Sequence, residues 1–335
     1  MAEPIMAARK LTDPAFGGSA ADAAFWRARG SSSEENQGAG RDVGLAESGF
    51  APYPLPRLVR IPGGGIDLAK TLECGQVFHW TRWGAGFVGT IGETPSYLEP
   101  VDDDLLVPAA HESLVHHYLA LDHPIDLIEA SFPKDAAMKA AMRFSRGIRI
   151  IRQPVWECLA TFLTSAMKQV SHIRSISLAL RQRFGKAIRF GSIELYPFPS
   201  PEVIAAGELT DLLECRLGFR ARNVLATAQM VSANEIRLEA LCGMPTADAR
   251  EVLCRLPGVG EKIANCVLLF AYERMDAVPI DVWISRALRQ SYFAGKQKIG
   301  AARLSEFCSY FGPYAGYAQQ YLFHHWRMTY RRRHD

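Results

Sequence analysis

The hydrophobic period of this chain changes once, near His111, and that change limits the folds open to it. From about Pro52 to Pro108 the apolar segments are short and broken by GGG, RWGAG, IGETP and DDD, with FVGT followed closely by YLEP. Short runs punctuated by glycine, proline and aspartate predict antiparallel strands joined by tight turns. Beyond His111, SLVHHYLAL, PIDLIEASF and AAMKAAMRF place apolar residues three or four apart, the period of a helix with one buried face. VWECLATFLTSAMKQVSHIRSISLALRQRF predicts two helices interrupted near Lys168. Further helices are predicted at PEVIAAGELTDLLE, RARNVLATAQMV, TADAREVLCRL, EKIANCVLLFAYE, DVWISRALRQSYF, AARLSEFCSYF and YAGYAQQYLFHHWR. The expected class is α+β: an antiparallel sheet domain with following helices over residues 51–145, packed on a mostly helical region over 146–326. No internal repeat is visible.

The two ends differ from this body. Residues 1–50 contain RGSSSEENQGAGRD, a polar stretch too poor in apolar side chains to offset the entropy of ordering, so a flexible tail is expected. Residues 327–335 close a basic run, HHWRMTYRRRHD, which reads equally well as a solvated tail or a phosphate contact. A net charge of only +3 over 335 residues gives no separate argument for nucleic acid. Seven scattered cysteines without a CxxC pair argue for reduced thiols and against zinc or iron–sulphur sites. No signal-peptide pattern or membrane-length apolar run is present in the sequence, so an intracellular protein without membrane attachment is expected.

One segment carries more chemistry than the rest. LPGVGEKIANC sits between two helical patterns, and Gly258, Val259 and Gly260 form a hairpin whose backbone N–H groups can approach a phosphate unobstructed by Cβ atoms. A plain helical turn with proline–glycine punctuation reads from the same residues. Lys262 falls in the first turn of the following helix, where the macrodipole disfavours its charge and helps lower its pKa. A neutral amine is a nucleophile, whereas most lysines so placed are solvated and inert. In AVPIDVW, Asp281 is the predicted N-cap of the next helix; at the mouth of a cleft the same carboxylate can stabilise positive charge on a sugar or move protons.

LPGVGEKIANC followed by VPIDVW resembles the helix-hairpin-helix base-excision superfamily, and within it the 8-oxoguanine DNA glycosylase/lyase family. The similarity runs over roughly residues 52–326. It implies that Lys262 is the nucleophile, that Asp281 is the motif aspartate, and that Cys266 packs against the flipped base; ordinary cysteine packing is the alternative for Cys266. GQVFHW is similar to the family segment whose glycine offers its carbonyl to the purine, which makes Gly75 the acceptor for the N7–H that 8-oxoguanine has and guanine lacks, near the end of the first strand. FGPYAGYAQQYLF resembles the C-terminal signature, so Gln319 would address the Watson–Crick edge and Phe323 would stack on the base, both on one helical face. LGFRARNV is similar to the segment facing the opposite base, with Arg220 as its reader and Phe219 as a wedge.

The departures lie on the partner-strand side. Where relatives of eukaryotic type carry asparagines, this chain reads SAMKQ, so Met167 would fill the vacated space, and His172 occupies a second arginine position. Methionine fills volume but reads no hydrogen-bond pattern, and relaxed discrimination of the opposite base is expected, with Arg220 the remaining polar reader. Trp283 replaces a histidine two positions after the aspartate. The resemblance implies no required cofactor or catalytic metal. A cation bridging the hairpin backbone and a phosphate is compatible with it, with no side-chain ligands predicted. The implied partner is damaged double-stranded DNA, bound by a monomer wherever the genome is housed. Two alternatives stay open: an alkylated-purine glycosylase, against which Lys262 argues, and a non-enzymatic DNA clamp using the hairpin alone.

Overall fold

The computed structural model describes residues 56–165, 169–293 and 301–331. The expected N-terminal tail, Met167, and residues 332–335 lie outside them. Five strands, β1 (Leu58–Pro62), β2 (Thr81–Trp83), β3 (Gly86–Ile91), β4 (Thr94–Val101) and β5 (Asp104–Pro108), form a sheet in the order β1-β5-β4-β3-β2. Every pairing is antiparallel, with Val88 opposite Tyr97 and Val59 opposite Val107. Helix α1 (Leu68–Glu73) interrupts this region between β1 and β2, and α2 (Glu112–Tyr118) follows it. Strand side chains alternate: Phe87, Leu98, Leu105 and Val107 face Leu68, Leu72, Val115 and Tyr118 of the two helices. The other face, Leu58, Trp83, Val88 and Tyr97, packs against Phe190.

Phe190 belongs to a hairpin, β6 (Ile188–Phe190) and β7 (Ile193–Leu195), inside the region expected to be helical. Because that hairpin covers the second face, all six residues of β3 are buried and the strand loses a polar side altogether. A strand covered on both faces has no reason to alternate in sequence.

The remaining helices are α3 (Ile125–Ala130), α4 (Ala136–Ser145), α5 (Val155–Leu163), α6 (Val170–Phe184), α7 (Pro201–Ala205), α8 (Leu209–Glu214), α9 (Arg220–Ser232), α10 (Thr246–Cys254), α11 (Glu261–Ala271), α12 (Val282–Ser291), α13 (Ala301–Phe311) and α14 (Ala315–Arg331). Helix α5 ends at Leu163 and α6 begins at Val170; Lys168, near which the sequence predicts a break, lies outside the described residues. PEVIAAGELTDLLE forms two helices, with Gly207 packed where a Cβ would meet the Phe184 ring at 2.8 Å. Helix α11 is central: Ile263, Ala264 and every residue from Cys266 to Phe270 are buried, and Phe270 stacks on Phe162 of α5 with centroids 5.5 Å apart.

A buried polar cluster joins sheet to helices. Glu157 of α5 receives Arg181 of α6 and lies 3.1 Å from His79 Nδ1, while His79 Nε2 donates to the Thr90 carbonyl at 2.7 Å. Arg181 also donates to Thr90 Oγ1 and the Tyr196 carbonyl, both at 3.0 Å. Burial pushes the Glu157 carboxyl up, but Arg181 and His79 outweigh it and hold it below the ordinary range.

Candidate active site

Helix α1 is capped by Asp67, whose side chain accepts from Lys70 N at 2.9 Å, and Cys74 closes its C-terminus. Gly75 then reverses the chain at φ +98°, a conformation L side chains rarely adopt. It therefore follows a helix rather than ending the first strand, a correction explained by the Asp67 cap, which starts a helix inside a stretch punctuated like sheet. A Cβ on Gly75 would stand 3.3 Å from Phe323 Cε1, 3.3 Å from Arg327 Nη1 and 3.4 Å from Val170 Cγ2, so these groups crowd one small space.

The residue after it, Gln76, is fully buried and every polar atom is used. Its Nε2 donates to the carbonyls of Thr71 (2.9 Å) and Arg149 (2.7 Å), its Oε1 accepts from Ile151 N (3.1 Å), and its carbonyl accepts from Gln153 Nε2 (2.8 Å). These bonds fix the backbone that carries Gly75. Nothing in the sequence singled out Gln76; its signal was only that an amide follows the motif glycine in an otherwise apolar run.

The opposite wall is α14. Gln319 is 3% exposed, and among the described residues its Oε1 has no hydrogen-bond partner. An amide oxygen buried without a partner costs free energy and is suited to a ligand donor. The neighbouring Gln320 turns away and donates to Cys74 Sγ at 3.2 Å. Phe323, four residues on, is half-buried, with the Arg327 guanidinium 5.5 Å above its ring. The helix continues through Arg327 to Arg331, and Arg327 is only 7% exposed, so it is a packed residue and not the start of a solvated tail.

Lys262 is the second residue of α11. Its Nζ donates to Ser165 Oγ at 2.9 Å and lies 5.3 Å from the Phe162 ring. Cys266, one turn on, is buried beside it; burial pushes that thiol up to about 11, with Lys262 opposing. Asp281 is the N-cap of α12, accepting from Ile284 N at 2.8 Å. Burial raises its carboxyl above the ordinary value, against the pull of its backbone donors, Lys262 and Arg327. Amine, thiol and carboxyl thus share one partly desolvated cluster, and Arg327, which borders the Gly75–Phe323 space, acts on its carboxyl. Among the described residues, no three His, Cys, Asp or Glu side chains gather where they could hold a metal ion, and no helix is long and apolar enough to cross a membrane.

In the hairpin, Gly258 has φ +80° and packs so closely that a Cβ would lie 2.3 Å from Asn223 Nδ2. Val259 anchors the loop in the core, while Gly260 is the N-cap of α11 with open space around its Cα and no side-chain cap. The first-turn N–H groups of α11 accordingly have no intrahelical acceptor and no side-chain cap from Gly260. Phe219, at the N-cap of α9, is 69% exposed and borders an open groove of about 450 Å³ with Leu209, Leu213, Gly218 and Arg222. Arg220, the expected reader of the opposite base, is 4% exposed, with its guanidinium 4.2 Å from the Phe219 ring centroid. His172 is exposed in the first turn of α6. Trp283 packs edge-on against Tyr330, with Arg286 5.1 Å above its ring.

A family model described as the 8-oxoguanine DNA glycosylase N-terminal domain matches residues 58–159. The N-glycosylase/DNA lyase OGG1 of Arabidopsis thaliana is 30% identical over 287 residues, covering 77% of this chain and 76% of that protein. The chain belongs to the 8-oxoguanine DNA glycosylase family. A probable N-glycosylase/DNA lyase of Methanothermobacter thermautotrophicus is 32% identical over 224 residues, covering 59% of this family member and 70% of that protein. The 8-oxoguanine glycosylase/lyase of Clostridium acetobutylicum, solved with double-stranded DNA carrying cytosine opposite 8-oxoguanine, is 26% identical with a TM-score of 0.75. That alignment covers 79% of this glycosylase family member and 93% of the solved chain, so sheet domain and helical region are shared together.

Proposed function

We propose that this chain is a bifunctional DNA glycosylase and AP lyase that removes 8-oxoguanine from duplex DNA through a Schiff base on Lys262. The observation that carries the reading is the cluster of Lys262, Cys266 and Asp281, linked through Arg327 to a space bounded by Gly75 and Phe323. The damaged nucleotide leaves the stack and its base enters that space as the Phe323 ring swings away from Gly75; unstacking costs a few kcal/mol. Phe323 stacks on the purine, the partnerless Gln319 Oε1 accepts from its Watson–Crick edge, and the Gly75 carbonyl accepts N7–H. Guanine presents an acceptor at N7 and would face that carbonyl lone pair to lone pair.

With the base held, neutral Lys262 attacks C1′ and displaces it; loss of the ring bond then gives a Schiff base, from which proton removal at C2′ expels the 3′ phosphate. Asp281 stabilises positive charge at the sugar. No cofactor enters these steps. Phe219 fills the gap left in the stack, and the hairpin of Gly258, Val259 and Gly260 binds backbone phosphate through N–H groups, with or without a bridging cation. The chain acts as a monomer on genomic DNA. With Arg220 folded beneath Phe219, and with Met167 and His172 in the remaining positions, partner-base discrimination is weak.

The test is borohydride trapping on duplexes carrying 8-oxoguanine opposite each of the four bases, comparing wild type with Lys262→Gln. A covalent adduct that needs Lys262, formed at similar rates on all four, is expected. Free base without an adduct would indicate water as nucleophile; strong preference for cytosine would refute the relaxed reading.

A further inference from the structure

Gln319, Phe323 and Arg327 are spaced four apart on α14, so they form a row along one face, each about 6 Å beyond the last. The inference drawn from this row rests on the base-pocket reading above. When Gln319 meets the Watson–Crick edge and Phe323 covers the ring, the next position in the row lies at the far end of the purine, where the imidazole ring and the glycosidic nitrogen are. A second observation leads to the same end. Arg327 Nη1 comes within 3.3 Å of the position a Cβ on Gly75 would take, and in the base-pocket reading the Gly75 carbonyl is the acceptor for N7–H in that same imidazole ring.

The guanidinium is held there. Its Nη2 donates to the Glu73 carbonyl at 3.0 Å, its plane covers Phe323 at 5.5 Å, and only 7% of the residue is exposed. Its field reaches the sugar end of the site as well, since it counteracts the burial that raises Asp281.

We propose that Arg327 stabilises the negative charge that develops on the departing purine. As the Lys262 lone pair forms the bond to C1′, the C1′–N9 bond breaks and its electron pair leaves with the base. The purine becomes an anion with charge shared between N9 and its carbonyl oxygens, and the nitrogen now bonded to C1′ becomes an ammonium. The base later takes one proton from that ammonium or from water, which restores the balance. Arginine holds its proton at all relevant pH, so the contribution is electrostatic, not general acid catalysis. A fixed cation in a site closed to water acts most strongly where charge is new, as it is on the leaving base. Arg327 thereby acts chiefly on base release; in strand cleavage no base departs, and only its weaker influence through Asp281 remains.

That asymmetry supplies the experiment. Single-turnover rates are measured for wild type, Arg327→Met and Arg327→Lys on an 8-oxoguanine duplex and, separately, on a duplex with a preformed abasic site, with folding checked by circular dichroism. Base release by Arg327→Met is expected to fall roughly 10- to 100-fold, while cleavage at the abasic site stays within about threefold and Arg327→Lys keeps most of the base-release rate. Equal loss in both steps, or equal loss in Met and Lys variants, would mean that Arg327 only holds the pocket together and would overturn the proposal. Should Arg327→Met fail to fold, Arg327→Lys and Arg327→Gln decide it, because they differ in charge while both retain polar packing. Wild-type protein that cleaves abasic sites yet releases no 8-oxoguanine would overturn the pocket reading, and this inference with it.

Discussion

Lys262 Nζ donates to Ser165 Oγ at 2.9 Å, and that hydroxyl donates in turn to the Phe162 carbonyl at 2.6 Å, which ties the amine to the last turn of α5. Ser165→Ala should release the amine from this anchor while leaving it present. We expect kcat for base release to fall about 10-fold with KM nearly unchanged, because the loss is of orientation and not of binding. Stability should drop by about 1 kcal/mol, the usual worth of one hydrogen bond. Single-turnover kinetics beside a denaturant titration would separate the two; a change in KM alone would contradict the assignment.

Gly258→Ala meets two obstacles, a φ of +80° and the Asn223 side chain at 2.3 Å. The expected cost is about 1–3 kcal/mol of stability. Because the hairpin is the proposed phosphate contact, affinity for undamaged duplex should weaken as well, measured by anisotropy at fixed salt. Unchanged affinity with lowered Tm would mean that the loop is structural only.

Phe219→Ala removes a ring that is 69% exposed, so stability should stay within about 0.5 kcal/mol of wild type. Base release should slow, since nothing then fills the stack after extrusion. The deficit should shrink when the lesion sits in a mismatch, whose base is easier to unstack. An equal deficit in matched and mismatched duplexes would argue against a wedge.

Burial, reinforced by Arg327 and Lys70, brings the His324 imidazole down from 6.5 to about 4. The unfolded chain binds that proton more readily than the folded one, so the stabilisation is complete above about pH 6.5 and is lost as pH falls toward 4. The full difference amounts to roughly 3 kcal/mol. His324→Phe, which keeps a ring beside Phe144, should flatten the dependence of Tm on pH across that window. An unchanged slope would assign the acid sensitivity to other groups, such as the Glu157–Arg181–His79 cluster.

Where the sequence spoke through period and punctuation, it was readable. The change near His111, the Asp281 cap and Lys262 in the first turn of α11 all rest on local rules of helix and turn formation, and all are present in the structure. Contacts made at a distance were not legible. The β6–β7 hairpin covers a sheet that ends 80 residues earlier (Pro108 to Ile188), and α1 begins at a single aspartate cap inside a stretch that otherwise reads as strands. Arg327 looked like part of a solvated basic run because a helix face cannot be recognised as buried until its partner is known, and that partner is Gly75 with its neighbours. The burial of Arg220 beside the Phe219 ring was likewise not legible from its motif.

The pairing of Gln320 with Cys74 spans 246 residues, and the Gly75–Phe323 contact spans nearly the same interval. During synthesis the proposed nucleophile, Lys262, therefore emerges before α14, the proposed base-recognising wall. A nascent chain, or one cut ahead of α14, carries a lysine with nothing to present to it. Under the proposed mechanism, the amine and its α5 anchor are already in the chain, and base recognition is complete only when the last long helix docks.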